Sequence, residues 1–343
     1  MDDTILMGHG GGGLLTRSII DEIILRELGN PILEALDDAA CLEIPESKIA
    51  MTTDSFVVDP IFFPGGDIGS LAVCGTVNDL AMQGAEPRYL SLGLIIEEGL
   101  PVNHLEQIIK SVGNTAKESD VLIVTGDTKV VEKSRASEDR SSRRGGIFIN
   151  TTGIGVRASE INVAVSNAQP GDAVIVTGSI GDHGIAIMNM REGLKLESDL
   201  MSDVAPLWGM IGPLLNEVPT LHCLRDPTRG GLAAALCDIA DSSSVGIRLS
   251  EQLLPVKNEV RGTCNILGLD VLNVANEGKA IIVCADDDSA LILEHLRANP
   301  LGREACVIGR VVTEPEGTVL LETVLGGERI VSVPAGEDLP RIC

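Results

Sequence analysis

The chain has 343 residues, and its 50 acidic against 26 basic residues give a formal net charge of −24, which repels nucleic acid and anionic membrane surfaces. One Trp, one Tyr and four Phe leave few rings to stack on bases. There is no basic leader, no apolar run reaches the ~20 residues of a bilayer span, and the eight cysteines form no CxxC pair, so a cytoplasmic protein without a zinc site is predicted.

The first half of the chain mixes helical and strand patterns. The predicted helices, with apolar residues at helical spacing, are 16–29, 67–84 and 103–118. The predicted strands, rich in β-branched residues, are 48–58, 90–96, 121–125 and 147–156. The charged stretch 132–146 has Ala136 as its one apolar residue, which predicts a solvent-exposed loop.

The second half restarts at Pro170-Gly171-Asp172. Its predicted strands are 173–177, 280–285 and 305–312, and its predicted helices are 183–193 and 229–241. Beyond about residue 313 the periodicity is lost. The predicted parts are an N-terminal domain over 1–160, a C-terminal domain over 161–313, and a C-terminal segment with a flexible tail over 314–343. Helices and strands mix in both halves, which predicts the α+β class (α/β two-layer).

A glycine-rich loop precedes the first predicted helix. Gly10, Gly11 and Gly12 allow the backbone to approach a ligand closely and to present amide groups to phosphate. The loop lacks the Gly-Lys-Ser/Thr ending of a P-loop and does not follow a strand, as a dinucleotide fingerprint would. A flexible N-terminal arm is the alternative to a nucleotide-binding loop.

Four aspartates lie at predicted strand ends and loop tips, namely Asp38, Asp54, Asp79 and Asp127. Magnesium prefers oxygen ligands and is commonly shared between carboxylates and nucleotide phosphates. Lys129 would add a positive charge for the same phosphates. Each aspartate alone could instead cap a turn or a helix, but the shared position of the four favours a site for magnesium and nucleotide.

Two motifs in the second half carry further acidic residues. Asp226 and Thr228 lie in Asp-Pro-Thr-Arg-Gly-Gly, which opens a helix and so offers an anion site beside an acid. An ordinary N-cap by Asp226 fits the same letters. Glu277 lies in Asn-Glu-Gly-Lys just before a strand and is a candidate general base if substrate reaches it. As an exposed turn residue it would have no such role.

Cys343 is the last residue, on a stretch whose Pro334, Gly336 and Pro340 discourage regular structure. A thiol on a flexible arm suits a carrier that reaches a second protein and then returns to its own pocket. The alternative is a stray unpaired cysteine, although exposed thiols oxidise readily.

Taken in order, these motifs resemble those of a known family. They are HGGGG, DDAA, TTDSFVVDPIFFPGGDIG, NDLAMQGAEP, GDTKVV, INTTGIG, DPTRGGLA, NEGK and a terminal PRIC. They cover essentially the whole chain and are similar to hydrogenase maturation factor HypE, the carbamoyl dehydratase family. Several recur in the superfamily of aminoimidazole ribonucleotide synthetase, selenophosphate synthetase and thiamine-monophosphate kinase, and the terminal Pro-Arg-Ile-Cys singles out this branch. One departure is the loop between Val131 and Gly145, which follows Lys129 and is longer and more charged than the family pattern.

The resemblance implies a two-domain aminoimidazole ribonucleotide synthetase-like (PurM-like) fold. The N-terminal domains would pair into a β-barrel at a homodimer interface, with ATP near the domain interface. The implied reaction is ATP-dependent dehydration of an S-carbamoyl group on Cys343 to a thiocyanate, the source of the cyanide ligand of iron in nickel-iron hydrogenase. A carbamoyltransferase would load the cysteine, and an iron-binding scaffold complex would accept the cyanide.

The resemblance also implies roles for single residues. The catalytic residues would be Cys343, Lys129 and Glu277, where Lys129 stabilises developing charge and Glu277 removes the nitrogen protons. The nucleotide-binding residues would be Gly10, Gly11, Gly12, Asp54, Asp79, Asp127, Asp226 and Thr228. The magnesium ligands would be Asp38, Asp54, Asp79 and Asp127.

Two other functions are compatible with the motifs. A small-molecule ligase or kinase of the same superfamily would also use ATP, but it would have no use for Cys343. A non-catalytic ATP-binding scaffold would bind nucleotide without turning it over, even when a carbamoylated tail is supplied.

Overall fold

The computed structural model describes residues 4–6, 18–35, 48–132, 146–191, 199–218 and 220–333. A four-stranded sheet organises the first half. Its strands are β1 (Lys48–Phe56), β4 (Glu86–Glu97), β5 (Leu122–Val131) and β6 (Ile147–Arg157), in the spatial order β1-β6-β4-β5. A short antiparallel ribbon, β2 (Phe62–Phe63) and β3 (Gly66–Asp67), follows β1. β6 is antiparallel to both of its neighbours, whereas β4 and β5 are parallel.

Helices cover one face of this sheet. They are α1 (Leu25–Leu28), which continues a π-helical turn at Ile20–Ile24, α2 (Ile68–Met82) and α3 (Val102–Glu118). α2 begins where Asp67 accepts hydrogen bonds from the backbone N–H groups of Gly69 and Ser70, and Ser70 accepts one from the Asp67 N–H. Because α2 carries apolar or small residues on nearly every side, it is buried along its length.

The opposite face of the sheet is open in the described part of the chain. It exposes large apolar side chains, among them Ile49, Met51, Ile95, Leu122 and Val131, and Met51 is 70% exposed. We call this surface the open face. The uncovered face of a sheet normally presents polar residues to water. The exposed large apolar side chains of the open face therefore indicate a surface that packs against another protein surface.

A seven-stranded sheet organises the second half. Its strands are β7 (Ala173–Val176), β8 (Leu221–Arg225), β9 (Gly246–Ser250), β10 (Ile281–Cys284), β11 (Cys306–Val312), β12 (Val319–Glu322) and β13 (Glu328–Val331). Their spatial order is β13-β12-β9-β11-β7-β10-β8. The helices are α4 (Asp182–Arg191), α5 (Trp208–Glu217), α6 (Gly231–Ser243), α7 (Asn258–Leu267) and α8 (Ser289–Ala298). β7 and β10 are fully buried, which explains their unbroken apolar sequences.

Most predicted elements are present with shifted ends, and one expectation is wrong. The chain does not lose its strand structure after residue 313, because β12 pairs in parallel with β9 and antiparallel with β13. A strand of four residues is too short to show a clear alternating pattern. Whether it forms depends on the strand with which it pairs. The predicted loop 132–146 lies mostly outside the described residues. In the described ranges no helix is both long and apolar enough to cross a bilayer.

Candidate active site

A cavity of about 530 Å³ lies between the two halves of the chain. β1 and the end of α2 form one wall, and β8 with the start of α6 forms the other. The polar side chains of its lining include Thr52, Asp54, Asp79, Asp226, Thr228 and Arg229. Four predicted nucleotide-site residues, Asp54, Asp79, Asp226 and Thr228, are therefore brought to one cavity.

Strand alternation and one helix end place the acids of the first half. Thr52 and Asp54 point from β1 toward the helical side of the sheet, and the Thr52 hydroxyl donates a 2.8 Å hydrogen bond to Asp79 in the last turn of α2. Across the cavity, the Arg229 guanidinium lies 3.1 Å from the Asp54 carboxylate. This ion pair joins the second half of the chain to the first.

Two acids of the cavity, Asp79 and Asp226, hold their protons more tightly than usual. Burial raises the pKa of Asp79, and the nearby Asp54 charge raises it further, against the lowering effect of the Thr52 hydrogen bond. Burial, with the Asp79 charge in addition, raises the pKa of Asp226 to about 7, although Arg225 lowers it. A cation or a positively charged group at this place would relieve the repulsion, which is the electrostatic setting of a site for metal and nucleotide.

The raised pKa of Asp226 makes stability depend on pH. The folded state keeps a proton on Asp226 up to about pH 7, whereas the unfolded chain releases it near its ordinary value of 3.8. Folding stability from this group is therefore present at low pH and lost as pH rises between about 4 and 7. We expect Asp226→Asn to gain stability over the wild type across that window, by on the order of 2 kcal/mol.

The measurement is denaturant unfolding from pH 5 to 8 in the presence of a chelator. Asp238→Asn is the matched control, because it removes a mostly exposed carboxylate from the rim of the same cavity. Wild-type and Asp226→Asn curves that run parallel over the whole range would contradict the expected coupling.

Asp127 and Lys129 lie away from this cavity. Both are on β5, at the far edge of the sheet from β1, and their side chains are mostly exposed and 3.1 Å apart. Asp127 is level with Gly93 on β4, which is level with Asn150 on β6 and Ser55 on β1. Paired residues share a face, so Asp127 lies on the face of Ser55, the open face, and not on that of Asp54.

The described residues of one chain therefore do not gather the predicted metal ligands. In the parts of the chain that the structure describes, no three His, Cys, Asp or Glu side chains are close enough to hold a metal ion. Asp38 lies outside the described residues, as do Gly10, Gly11, Gly12 and Cys343.

Glu277 is buried and not an exposed turn residue, which removes the alternative considered from sequence. It is 4% exposed. Its backbone N–H donates a 3.1 Å hydrogen bond to Asp203, and its carbonyl accepts one of 3.3 Å from the side-chain amide of Asn78. Asn78 is the neighbour of Asp79, so the Glu277 backbone is joined to the helix that forms the cavity wall.

Comparison with known proteins identifies the family. Models of the AIR synthase related proteins match in two parts, the N-terminal domain over 36–157 and the C-terminal domain over 169–322. The carbamoyl dehydratase HypE of Azotobacter vinelandii is 47% identical over 340 residues, 99% of this chain and 97% of that protein. The chain belongs to the HypE family.

Solved HypE structures share the fold over nearly the whole chain. A HypE structure in complex with ATP superposes with a TM-score of 0.92 at 46% identity and covers 99% of this chain and 100% of that one. The HypE chain of a HypE-HypF complex gives 0.78 at 46% identity, with 92% and 100% covered. The predicted two-domain α+β fold and the predicted function, carbamoyl dehydration in hydrogenase maturation, are confirmed. The ligase or kinase alternative is not favoured.

Three residues of this HypE-family site were not singled out from sequence. Arg229 and Asn78 stand inside DPTRGGLA and NDLAMQGAEP, so the motifs already contained them. An arginine in a nucleotide-binding motif and an asparagine beside a predicted ligand were the available signals. Asp203 has no such signal, because it lies in a stretch without periodicity or motif.

Proposed function

We propose that this chain uses ATP, bound in the cavity between its halves, to dehydrate an S-carbamoyl group on its own Cys343. The observation that carries the proposal is that the buried Glu277 is held next to the acidic cavity. Asn78 hydrogen-bonds to the Glu277 backbone and is the neighbour in sequence of Asp79, which lines the cavity. The solved HypE complex with ATP supports nucleotide binding. A carrier arm ending in Cys343 would bring the carbamoyl group to the nucleotide.

The chemistry divides into two steps. The carbamoyl oxygen is a poor leaving group, so it first attacks the γ-phosphorus of ATP, and ADP departs. In the resulting phosphate ester the C–O bond then breaks with release of phosphate. The nitrogen loses both of its protons, which Glu277 accepts one after the other and passes to water, and the C≡N bond forms on the carbon attached to the Cys343 sulfur. In sum, the carbamoyl group and ATP give thiocyanate, ADP, phosphate and one proton. Catalysis of phosphoryl transfer is mostly positioning and charge stabilisation, and Lys129 supplies positive charge.

The acids of the cavity fit a magnesium ion bound with the nucleotide. Burial and a neighbouring carboxylate raise the pKa of both Asp79, beside Asp54, and Asp226, beside Asp79, a cost that a divalent cation offsets. Asp54 and Asp79 would hold it, together with Asp127. When bound, magnesium neutralises phosphate charge and orients the transferred group.

The active unit of this proposal is a homodimer whose sites are shared between chains. β1 and β5 are the two edges of the four-stranded sheet, and the open face between them exposes large apolar side chains. Two such sheets closed into a barrel would cover both open faces and pair the free edges. β5 of a second chain would then lie beside β1. Its Asp127 and Lys129 would share the face of Met51 and Thr53, the two open-face residues of β1 that line the cavity.

The proposed partners follow from the reaction. A carbamoyltransferase loads Cys343, which the solved HypE-HypF complex supports, and an iron-binding scaffold complex takes the cyanide. The proposed location is the cytoplasm, because a carrier thiol must stay reduced. Free thiols at Cys223, Cys264 and Cys284 fit such a compartment.

The test is intact-protein mass spectrometry of the chain after loading by the carbamoyltransferase with carbamoyl phosphate. We expect a carbamoyl adduct that loses the mass of one water only when ATP is added, and not with an analogue that cannot transfer its γ-phosphate. An adduct that persists with ATP and an active partner would point to the non-catalytic scaffold instead.

A further inference from the structure

A segment without regular structure, residues 199–207, runs between the two halves of the chain. We call it the interdomain segment. Its Ser202 N–H donates a 2.7 Å hydrogen bond to the carbonyl of Pro64 in the first half. Asn78 holds it twice more, donating to the Ala205 carbonyl at 3.0 Å and accepting from the Leu207 N–H at 2.8 Å. The segment is therefore fixed to the helix that also contacts Glu277.

Asp203, in the middle of this segment, contacts both ends of the Glu277–Lys279 turn. One carboxylate oxygen accepts the 3.1 Å hydrogen bond from the Glu277 N–H. The other lies 3.3 Å from the Lys279 ammonium, in an ion pair whose side chains are 2% exposed for Asp203 and 10% for Lys279. A buried carboxylate of this kind is tolerated only when its charge is matched, and Lys279 matches it.

Gly278 shows how closely the two backbones meet. A Cβ atom added at Gly278 would lie 1.8 Å from the Asp203 carbonyl oxygen, which no side chain could occupy. The absence of a side chain at Gly278 therefore lets the interdomain segment press against the turn. The contact fixes the turn from one side while Asn78 fixes it from the other.

We propose that Asp203 is a positioning residue for the dehydration, because it holds the backbone from which the Glu277 side chain extends. Glutamate has several rotatable bonds, so a fixed backbone is needed to aim its carboxylate, and misplacement by about 1 Å can cost on the order of 100-fold in rate. Asp203 acts through its Oδ1 hydrogen bond, and Lys279 makes the buried charge tolerable. The inference rests on the proposed role of Glu277 as the base.

The test compares two double variants, Asp203→Asn/Lys279→Met and Asp203→Leu/Lys279→Met. Both lack the buried ion pair, so neither leaves an uncompensated charge in the core. Asn and Leu have similar shapes, but only Asn keeps an oxygen that can accept the Glu277 N–H. The two proteins thus differ chiefly in the hydrogen bond from the Glu277 N–H to residue 203. Unfolding curves and ATP titrations are the controls for folding and for nucleotide binding.

We expect the Leu double variant to have a dehydration kcat about 10- to 100-fold below that of the Asn double variant, with the same KM for ATP. We also expect faster hydrogen exchange at the Glu277 amide in the Leu variant, because the amide has lost its acceptor. Equal kcat values in the two variants would overturn the positioning role. The two proposals fail in different measurements. If the wild-type chain does not dehydrate its carbamoyl group, the proposed function is wrong. If the exchange rate of the Glu277 amide is the same in the two double variants, the positioning role of Asp203 is wrong.

Discussion

Glu277→Gln is expected to accept a carbamoyl group normally and to dehydrate it about 10²- to 10⁴-fold more slowly than the wild type, the range by which a positioned base accelerates proton transfer. Gln keeps the length and the backbone of Glu, so the hydrogen bonds to Asp203 and Asn78 are retained. It lacks the carboxylate that takes the nitrogen proton. The carbamoylated chain should therefore accumulate with ATP present, as read by intact mass over time.

Two further variants separate the steps. Cys343→Ala should give no carbamoyl adduct at all, because the acceptor sulfur is missing, whereas Glu277→Gln should give a stable one. Glu322→Gln changes an exposed residue of β12 in the second sheet and should dehydrate at the wild-type rate. A Glu277→Gln chain that also keeps the wild-type rate would remove Glu277 from the mechanism.

The sequence predicts the acids of the cavity because their positions follow from local structure. Asp54 lies near the end of a strand rich in β-branched residues. Asp226 precedes a helix that its glycine pair and apolar pattern predict. Asp79 is close by because α2, apolar on nearly every side, must be buried between the sheet and the second half of the chain. The resemblance to the HypE family supplied the chemistry that these positions alone do not specify.

The face on which Asp127 lies could not be read from the sequence. The sequence predicts that β5 ends at residue 125, but the strand continues to Val131 because β4 pairs with it along its length. Leu90 pairs with Ile123 and Ser91 pairs with Thr125, so Val124 is an extra residue in β5. Such a bulge reverses the face of every residue after it. Without it, Asp127 and Lys129 would point toward the helices, and with it they point to the open face.

Long-range contacts explain the other differences. β12 and β13 are short and partly exposed, and they exist because β9 offers an edge to pair with. The interdomain segment has no periodicity because its contacts go to unrelated parts of the chain, from Pro64 and Asn78 in the first half to Glu277 in the second. Patterns of period two or 3.6 cannot reveal such a segment.

If each active site is shared between the two chains of a homodimer, two inactive variants should restore activity when they are mixed. Asp54→Asn alone and Lys129→Ala alone are each expected to lower the dehydration rate at least about 100-fold. The first removes a carboxylate that would hold the magnesium ion, and the second removes positive charge that stabilises the transferred phosphate. Mixed, unfolded together and refolded, the two variants should recover roughly a quarter of the wild-type activity, because half of the dimers are mixed and each mixed dimer has one intact site.

The activity of each site depends on which chain supplies which residue. In a mixed dimer, one site combines the Asp54→Asn cavity with the Lys129→Ala strand, and the other combines an intact cavity with an intact strand. Mixing Asp54→Asn with Asp79→Asn is the control, because both changes fall in the same cavity and every dimer then has two damaged sites. If Asp127 and Lys129 instead served the cavity of their own chain, neither mixture would recover activity, so recovery in the first mixture alone is the mark of a site completed by a second chain.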